Sequence, residues 1–490
     1  MNMIESTASN TAQTASLSDL QLRLQQQKSA FASAPMPSLK ERLNRLNRLH
    51  NALLTYREQI HKAIDQDFAG RAVAETEMAE IIPLLEGIAY YRKRLKRFMR
   101  PQRRHAPLTV APAKAEVHYQ PLGVVGIVTP WNFPFFLALS PLIGALAAGN
   151  RAMIKASEFA PASGDLMRKM LAESFSEDEV MVITGGVEVA SEFTALPFDH
   201  LVFTGSTQVG KIVMRAAAEN LTPVTLELGG KSPAIIHNDF PIDEAARRLA
   251  FGKCMNAGQI CVSPDYVLCP RDKVHEFSSI FIDAVEQAYP TLKDNPDYTA
   301  IISDRQKSRL ERYLNDARAK GAQLMTADAA DEDLSKSRKL PMTLVLNATD
   351  NMMVMQEEIF GPILPVIPYD SLEEAIQLVN SKPRPLALYY FDWNQGRANT
   401  ILATTHSGGV CINDSLSHVP ADDLPFGGIG PSGMGHYHGE EGFRTFSKAK
   451  GVIRKGKINT AAMVAPPWDN RMFKGLMWFM KFRFRPVKVD

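Results

Sequence analysis

Pro121-Leu-Gly-Val-Val-Gly-Ile-Val-Thr-Pro-Trp-Asn-Phe-Pro134 decides the fold. Val124 to Val128 is an unbroken apolar run, the pattern of a central parallel strand covered on both faces. Pro130, Asn132, Pro134 and Pro141 cut the apolar residues 121–149 into pieces too short to cross about 30 Å as one helix. The stretch therefore reads as buried strand, rigid loop and buried helix. Working outward, Ala152-Met-Ile-Lys-Ala-Ser-Glu158 reads as a short strand, with a helix from Ala160. Residues 180–184, ending in Gly185-Gly186, and residues 200–204 are further buried strands. Strand and helix alternating in this way indicate a doubly wound α/β domain. From Lys231 the alternation begins again, with a strand at 234–237, a helix at 242–255, a turn around Cys261 and a strand at 266–269. Helices follow at 274–287, 304–320 and 373–379. Glu116 to Tyr119 alternates weakly, as the strand of a projecting hairpin would.

Before the first strand, Ser38-Leu-Lys-Glu41 has the form of a capping box. Leu39, Leu43, Leu46, Leu49, Leu53, Ile60 and Ile64 follow at helical spacing, which predicts one long amphipathic helix. A second helical region covers 74–98 and ends in Arg92-Lys-Arg-Leu-Lys-Arg97. Cations there complement the helix's own dipole, a simpler reading than an anion-binding or membrane patch. Residues 1–20 are rich in Ser, Thr, Asn and Gln with no apolar core, and read as a loose leader rather than a signal peptide.

A chain of 490 residues exceeds the size at which one core keeps growing, so more than one domain is expected. The expected fold class is α/β, two doubly wound domains (cofactor-binding and catalytic) with a small β oligomerisation or bridging element. The boundaries read as a leader at 1–20, a cofactor domain at 21–226 with a bridging hairpin near 114–120, and a catalytic domain at 227–410. Residues 411–465 return to the cofactor domain and the bridge, and 466–490 form a tail. A net charge of +2 provides no broad basic field for nucleic acid. Cysteines at 254, 261, 269 and 411 show no CxxC spacing, which fits a reducing, cytoplasmic setting and argues against a disulfide framework or a zinc site.

Three residues carry the chemistry. In Asn256-Ala-Gly-Gln-Ile-Cys-Val-Ser-Pro264 a single thiol stands between a helix-ending glycine and a proline-terminated turn. In Leu226-Glu-Leu-Gly-Gly-Lys-Ser-Pro233 a carboxylate lies among apolar neighbours, where burial would lift it toward general-base range. In Thr129-Pro-Trp-Asn-Phe-Pro134 an amide is held between prolines. Singly, such residues are ordinarily a buried small hydrophobe, a surface charge and a turn. Together, Cys261, Glu227 and Asn132 make a nucleophile, a base and an oxyanion donor. Gly205-Ser-Thr-Gln-Val-Gly210 sits where a strand hands over to a helix, a place where free amides bind anions. It lacks the G-x-G-x-x-G spacing and is equally readable as a plain turn.

These stretches, with Gln356-Glu-Glu-Ile-Phe-Gly-Pro362 and Leu424-Pro-Phe-Gly-Gly-Ile-Gly-Pro-Ser-Gly-Met-Gly435, resemble the motif set of the aldehyde dehydrogenase superfamily, in order from about Pro121 to Phe446. Gly433-Met-Gly-His-Tyr-His-Gly439 resembles its class 3 branch of fatty, aromatic and coniferyl aldehyde dehydrogenases. The resemblance implies NAD as cofactor, with NADP also usable. It implies cofactor contacts at Trp131, Gly205, Ser206 (pyrophosphate), Gly210, Lys155 and Glu158 (adenosine ribose), Glu358 (nicotinamide ribose) and Phe360. It also implies a homodimer that oxidises an aromatic aldehyde such as coniferyl aldehyde, or a medium- to long-chain aliphatic one, to the carboxylic acid through a thiohemiacetal and thioester on Cys261. His436 and His438 flank Tyr437 with no third ligand in reach, so no metal is expected.

The tail after Pro466-Pro467 is rich in Met, Trp, Phe, Lys and Arg. Some class 3 relatives have a membrane-associated C-terminus, but packing over the substrate entrance or a partner subunit is the favoured reading over an interfacial helix. The alternatives for the whole chain are a dehydrogenase that passes its thioester to coenzyme A, which would not need Glu227, and a catalytically silent structural protein on the same fold.

Overall fold

In a computed structural model, residues 18–107, 110–457 and 465–486 are described. Most of the expected leader thus lies outside them, although a helix begins at Asp19, capped by the Ser18 side chain. The Ser38 capping box is present, with Ser38 accepting from the Glu41 amide and the Glu41 carboxylate accepting from the Ser38 amide at 2.6 Å. The single long helix expected beyond it is two helices, Leu39–Thr55 and Arg57–Phe68. Tyr56, at φ −98° and ψ 6°, kinks the backbone between them. Leu46, Leu49, Leu53, Ile60 and Ile64 still form one buried stripe across the kink, which is the pattern the leucine spacing reports.

The first sheet has six strands. Its parallel members are β3 (Val124–Val128), β4 (Arg151–Lys155), β5 (Val180–Ile183), β6 (His200–Gly205) and β7 (Val224–Leu228), and β15 (Gly433–Met434) adds to β7 antiparallel, giving the order β15-β7-β6-β3-β4-β5. β3 is central and buried at all five positions, with Ile127 registered against Ile154 on one side and Val202 on the other. After the loop that follows β3, helix Phe136–Ala148 runs on through Pro141. Pro141 removes one helical hydrogen bond, and the helix is held instead by packing, since every residue but Ser140 is buried. Truncating Leu142 or Leu146 to Ala would cost about 2–5 kcal/mol.

The second sheet has seven strands in the order β10-β11-β12-β9-β8-β13-β14. They are β8 (Pro233–Ile236), β9 (Tyr266–Pro270), β10 (Gln323–Thr326), β11 (Thr343–Leu346), β12 (Ile363–Tyr369), β13 (Ala387–Phe391) and β14 (Gly409–Ile412). All neighbours are parallel except β10 on β11. The chain crosses from the first sheet to the second between Leu228 and Pro233, so the segment just after Glu227 lies at the junction of the two units.

A third sheet, β1 (Gln102–Arg104), β2 (Ala113–Pro121) and β16 (Ser447–Lys455), is antiparallel throughout. β2 contains the expected Glu116–Tyr119 strand, but its long partner is β16, more than 300 residues away in sequence, with Val117 opposite Gly451. The tail forms a helix, Arg471–Arg483, with none of its side chains buried. Among the described residues no helix is long and apolar enough to cross a membrane.

Candidate active site

Helix Ile242–Cys254 leads into a 3-10 turn, Met255–Gly258, in which Asn256 and Ala257 both take φ of 50°. This left-handed pair turns the chain sharply and delivers Cys261 to the junction of the two sheets. Gln259 fixes the turn: its side-chain amide donates to the carbonyls of Asn256 (2.9 Å) and Ala300 (3.1 Å), and its side-chain oxygen accepts from the Ile302 amide at 3.0 Å. The loop after β3 approaches from the other unit. Asn132 is buried, and its Nδ2 donates to the Gln259 carbonyl at 3.1 Å. One amide hydrogen thus ties Asn132 to the cysteine turn, and the second is available to a ligand.

Cys261 is the meeting point of two cavities. One, of about 350 Å³, is lined by Trp131, Asn132, Gly205, Ser206, Glu227, Glu358 and Phe360, among others. The other, of about 210 Å³, is largely apolar, with Met78, Phe136, Phe251, Met255, Phe426 and Tyr437 in its wall. Cys261 and Leu137 are the lining residues common to both.

Glu227 lies in β7 with both carboxylate oxygens buried and without a hydrogen-bond partner. Burial raises its pKa well above the ordinary carboxylate range, because a charge there has no water to solvate it. Glu358 is similar. Its Oε1 is buried and unpartnered, and burial, with Asp265 nearby, lifts the group to about 8. Gly229 accommodates it, since a Cβ at that position would overlap the Glu358 carboxylate. The Cys261 thiol is pushed up to about 12, first by burial and then by Glu358 and Glu227. Cys261 is therefore held as a neutral thiol near two carboxyl groups whose proton affinity burial raises. Trp131 and Phe360 meet edge to face, with ring centroids 5.3 Å apart.

Of the remaining candidates, Gly205 and Ser206 line the larger cavity, while Gly210, Lys155 and Glu158 do not. Ser206 caps helix Thr207–Ala218, accepting from the Val209 amide at 3.4 Å, and Gly210 packs that helix onto Leu228. Lys155 ends β4 with its Nζ donating to the Ala156 carbonyl at 2.6 Å and 3.7 Å from Glu158, whose residue is exposed. His438 is buried and His436 exposed. Among the described residues no group of three or more His, Cys, Asp or Glu is arranged to hold a metal. Sequence reasoning missed the apolar cavity, whose wall comes from four separate segments. It also missed Arg71, Glu75 and Glu80, charged residues buried behind the Asn132 loop.

Two doubly wound units with a thiol, an unpartnered buried carboxylate and a Ser206-capped helix N-terminus around one cavity match the architecture of a nucleotide-cofactor oxidoreductase. The chain belongs to the aldehyde dehydrogenase family, whose model matches residues 2–452. It is 55% identical to a probable coniferyl aldehyde dehydrogenase of Pseudomonas aeruginosa, over 94% of this chain and 95% of that one. Among solved structures it resembles the substrate-bound state of Staphylococcus aureus AldH, with a TM-score of 0.89, 36% identity, and coverage of 95% of this chain and 100% of that one. It also resembles a Mycobacterium tuberculosis aldehyde dehydrogenase complexed with NAD+, with a TM-score of 0.80, 29% identity, and coverage of 89% and 90%.

The protein is thus an NAD(P)-dependent aldehyde dehydrogenase. The larger cavity fits that cofactor: it joins Gly205 and Ser206, at a helix N-terminus suited to a pyrophosphate, to the unpartnered buried oxygen of Glu358, which can accept from a ribose hydroxyl.

Proposed function

We propose that the protein oxidises aromatic or medium- to long-chain aliphatic aldehydes to their acids, with coniferyl aldehyde the foremost candidate and NAD the preferred cofactor. The observation that carries this reading is the position of Cys261, shared between an apolar cavity and a polar one that holds Asn132, Glu227 and Glu358. The apolar wall suits a planar ring or an alkyl chain, and the name of the Pseudomonas aeruginosa relative supports the choice of substrate.

In this reading the Cys261 thiol gives its proton to solvent entering the cavity, and the resulting thiolate adds to the aldehyde carbon. The free amide hydrogen of Asn132 and the Cys261 backbone N–H hold the developing oxyanion. NAD, held in the polar cavity, would supply the hydride acceptor needed for the thiohemiacetal on Cys261 to become a thioester. Glu227 then takes a proton from the water that attacks the thioester, a role suited to a carboxylate whose pKa is raised by burial. Glu358 and Phe360 position the nicotinamide end, Trp131 backs Phe360, and Ser206, Gly205 and Gly210 set the pyrophosphate. Lys155 and Glu158 take the adenosine ribose. Four free cysteines support a reducing, cytoplasmic setting, and the separate three-stranded sheet, whose strand β16 is largely exposed, supports a homodimer. The test is direct: purified protein with NAD and a panel of aldehydes, followed at 340 nm with the acid identified by mass. Absence of NADH formation with every aldehyde would leave the silent structural reading standing.

A further inference from the structure

Behind the active-site loop is a buried charge cluster that lines neither cavity. Arg71 is fully enclosed, sandwiched between the rings of Phe68 and Phe133, each centroid 4.9 Å from the guanidinium carbon. Its Nη1 donates to the Asn132 carbonyl at 3.1 Å. That same carbonyl accepts from the Asn256 side chain at 3.2 Å. Arg71 Nε lies 3.7 Å from the carboxylate of Glu75, which accepts from the Asn256 backbone amide at 2.8 Å. Glu80 completes the cluster, accepting from the amides of Phe135 and Phe136 at 2.8 and 3.0 Å, where the Asn132 loop enters its helix. Glu80 lies in a π-helical stretch, Glu77–Ile81, a geometry frequent at functional sites.

One ion pair therefore holds both halves of the site. Arg71 fixes the segment that carries Asn132, while Glu75 fixes the turn that carries Cys261. A neutral hydrogen bond at either place would satisfy the backbone at less desolvation cost. A planar, charged fork between two rings also fixes direction.

We propose that Arg71 is a positioning residue for the oxyanion site: with Glu75 it clamps the Asn132 loop to the Cys261 turn, so that the Asn132 amide is aligned before substrate arrives. This rests on the reading of Asn132 as oxyanion donor and Cys261 as nucleophile. A misplacement of about 1 Å at such a site costs on the order of 10²-fold in rate.

The test is a double-mutant cycle between Arg71 and Asn132. Arg71→Met alone would leave the Glu75 carboxylate buried and unpaired, so the working variant is Arg71→Met/Glu75→Gln, which removes both charges at similar volume. In the otherwise wild-type enzyme kcat should fall about 10- to 100-fold, with the dissociation constant for NAD within about 2-fold of wild type. In an Asn132→Ala background the same change should cost less than about 3-fold, because residues acting through one another are not additive. Arg71→Lys keeps a cation for Glu75 and loses the fork. It should show a smaller loss with the same non-additivity, and it carries the test if the double variant does not fold. Equal proportional losses in both backgrounds, or a parallel loss of NAD binding, would overturn the clamp while leaving the oxyanion reading intact. Wild-type kcat in Asn132→Ala alone would overturn the oxyanion reading, and the clamp with it.

Discussion

Gly433 of β15 stands opposite Glu227 of β7 in the antiparallel pair that closes the six-stranded sheet. Its φ is +129°, and a Cβ there would overlap the Leu226 carbonyl oxygen. The glycine-rich segment can therefore lie directly on the backbone that carries Glu227. Gly433→Ala should lower stability by about 1–3 kcal/mol from backbone conformation alone, read as a shift in the urea midpoint. Deacylation should slow at the same time. Wild-type midpoint and turnover would show that β15 does not set the environment of Glu227.

Cys261→Ala should abolish NADH formation, while Cys254→Ala, Cys269→Ala and Cys411→Ala should keep it. Only Cys261 lines both cavities. The others are buried, Cys254 at the end of a helix and Cys269 and Cys411 in strands. Turnover by a folded Cys261→Ala variant, with loss in one of the other three, would move the active site.

Glu227→Gln should separate the two halves of the reaction. The amide is nearly isosteric, and none of the steps before the thioester needs this base once a thiolate exists. Stopped-flow should record a burst of up to one NADH per site, then turnover slowed by roughly 10²- to 10⁴-fold, the scale for losing a general base. Mass spectrometry should find the acyl group on Cys261. Absence of both burst and adduct in a variant that still binds NAD would remove Glu227 from that role.

NAD should be preferred over NADP. Glu158, 3.7 Å from Lys155, can accept from a free ribose 2′-hydroxyl but repels a 2′-phosphate. The measurement is kcat/KM with each cofactor, and Glu158→Gln should raise the value for NADP. A wild-type preference for NADP, or no gain in the variant, contradicts the assignment.

Glu358 makes stability depend on pH. Its pKa rises from 4.5 to about 8 on folding, so the folded state holds a proton that the unfolded chain gives up. Its favourable contribution is full below pH 4.5 and is lost as pH rises through about 8. Without cofactor, Glu358→Gln should therefore gain on wild type in urea unfolding as pH goes from about 5 to 8. A gap between the two that does not change with pH would mean that Glu358 is not buried in this way.

Some of this architecture was legible in the residues and some was not, for physical reasons. β3 and β5 showed as apolar runs because strands covered on both faces need no polar residue, and β4 and β6 showed through their apolar middles, residues 152–154 and 201–203, with Arg151, Lys155, His200 and Thr204 at their ends. β7 did not, because Thr225 and Glu227 interrupt its run, and both are buried for reasons other than transfer from water. The β2–β16 pairing has no local signature at all, since the two strands share neither a turn nor a periodicity. The break at Tyr56 escaped because the leucine stripe continues across it. Motif spacing placed Asn132, Glu227 and Cys261, which the fold brings around one cavity. Arg71 and Glu75 look like ordinary surface charges in sequence; the rings of Phe68 and Phe133 enclose Arg71, and Asn256 and Thr299 hold Glu75.

The two cavities that meet at Cys261 share few side chains, and this has a consequence for how such an enzyme can diversify. Replacing Phe251 or Met255 reshapes the space on one side of the sulfur and leaves the wall built by Ser206, Glu358 and Phe360 intact. On the proposed assignment of the aldehyde to the apolar cavity and the cofactor to the polar one, the two choices are separable inheritances: a lineage can revise what it oxidises without relearning how it carries the electrons away.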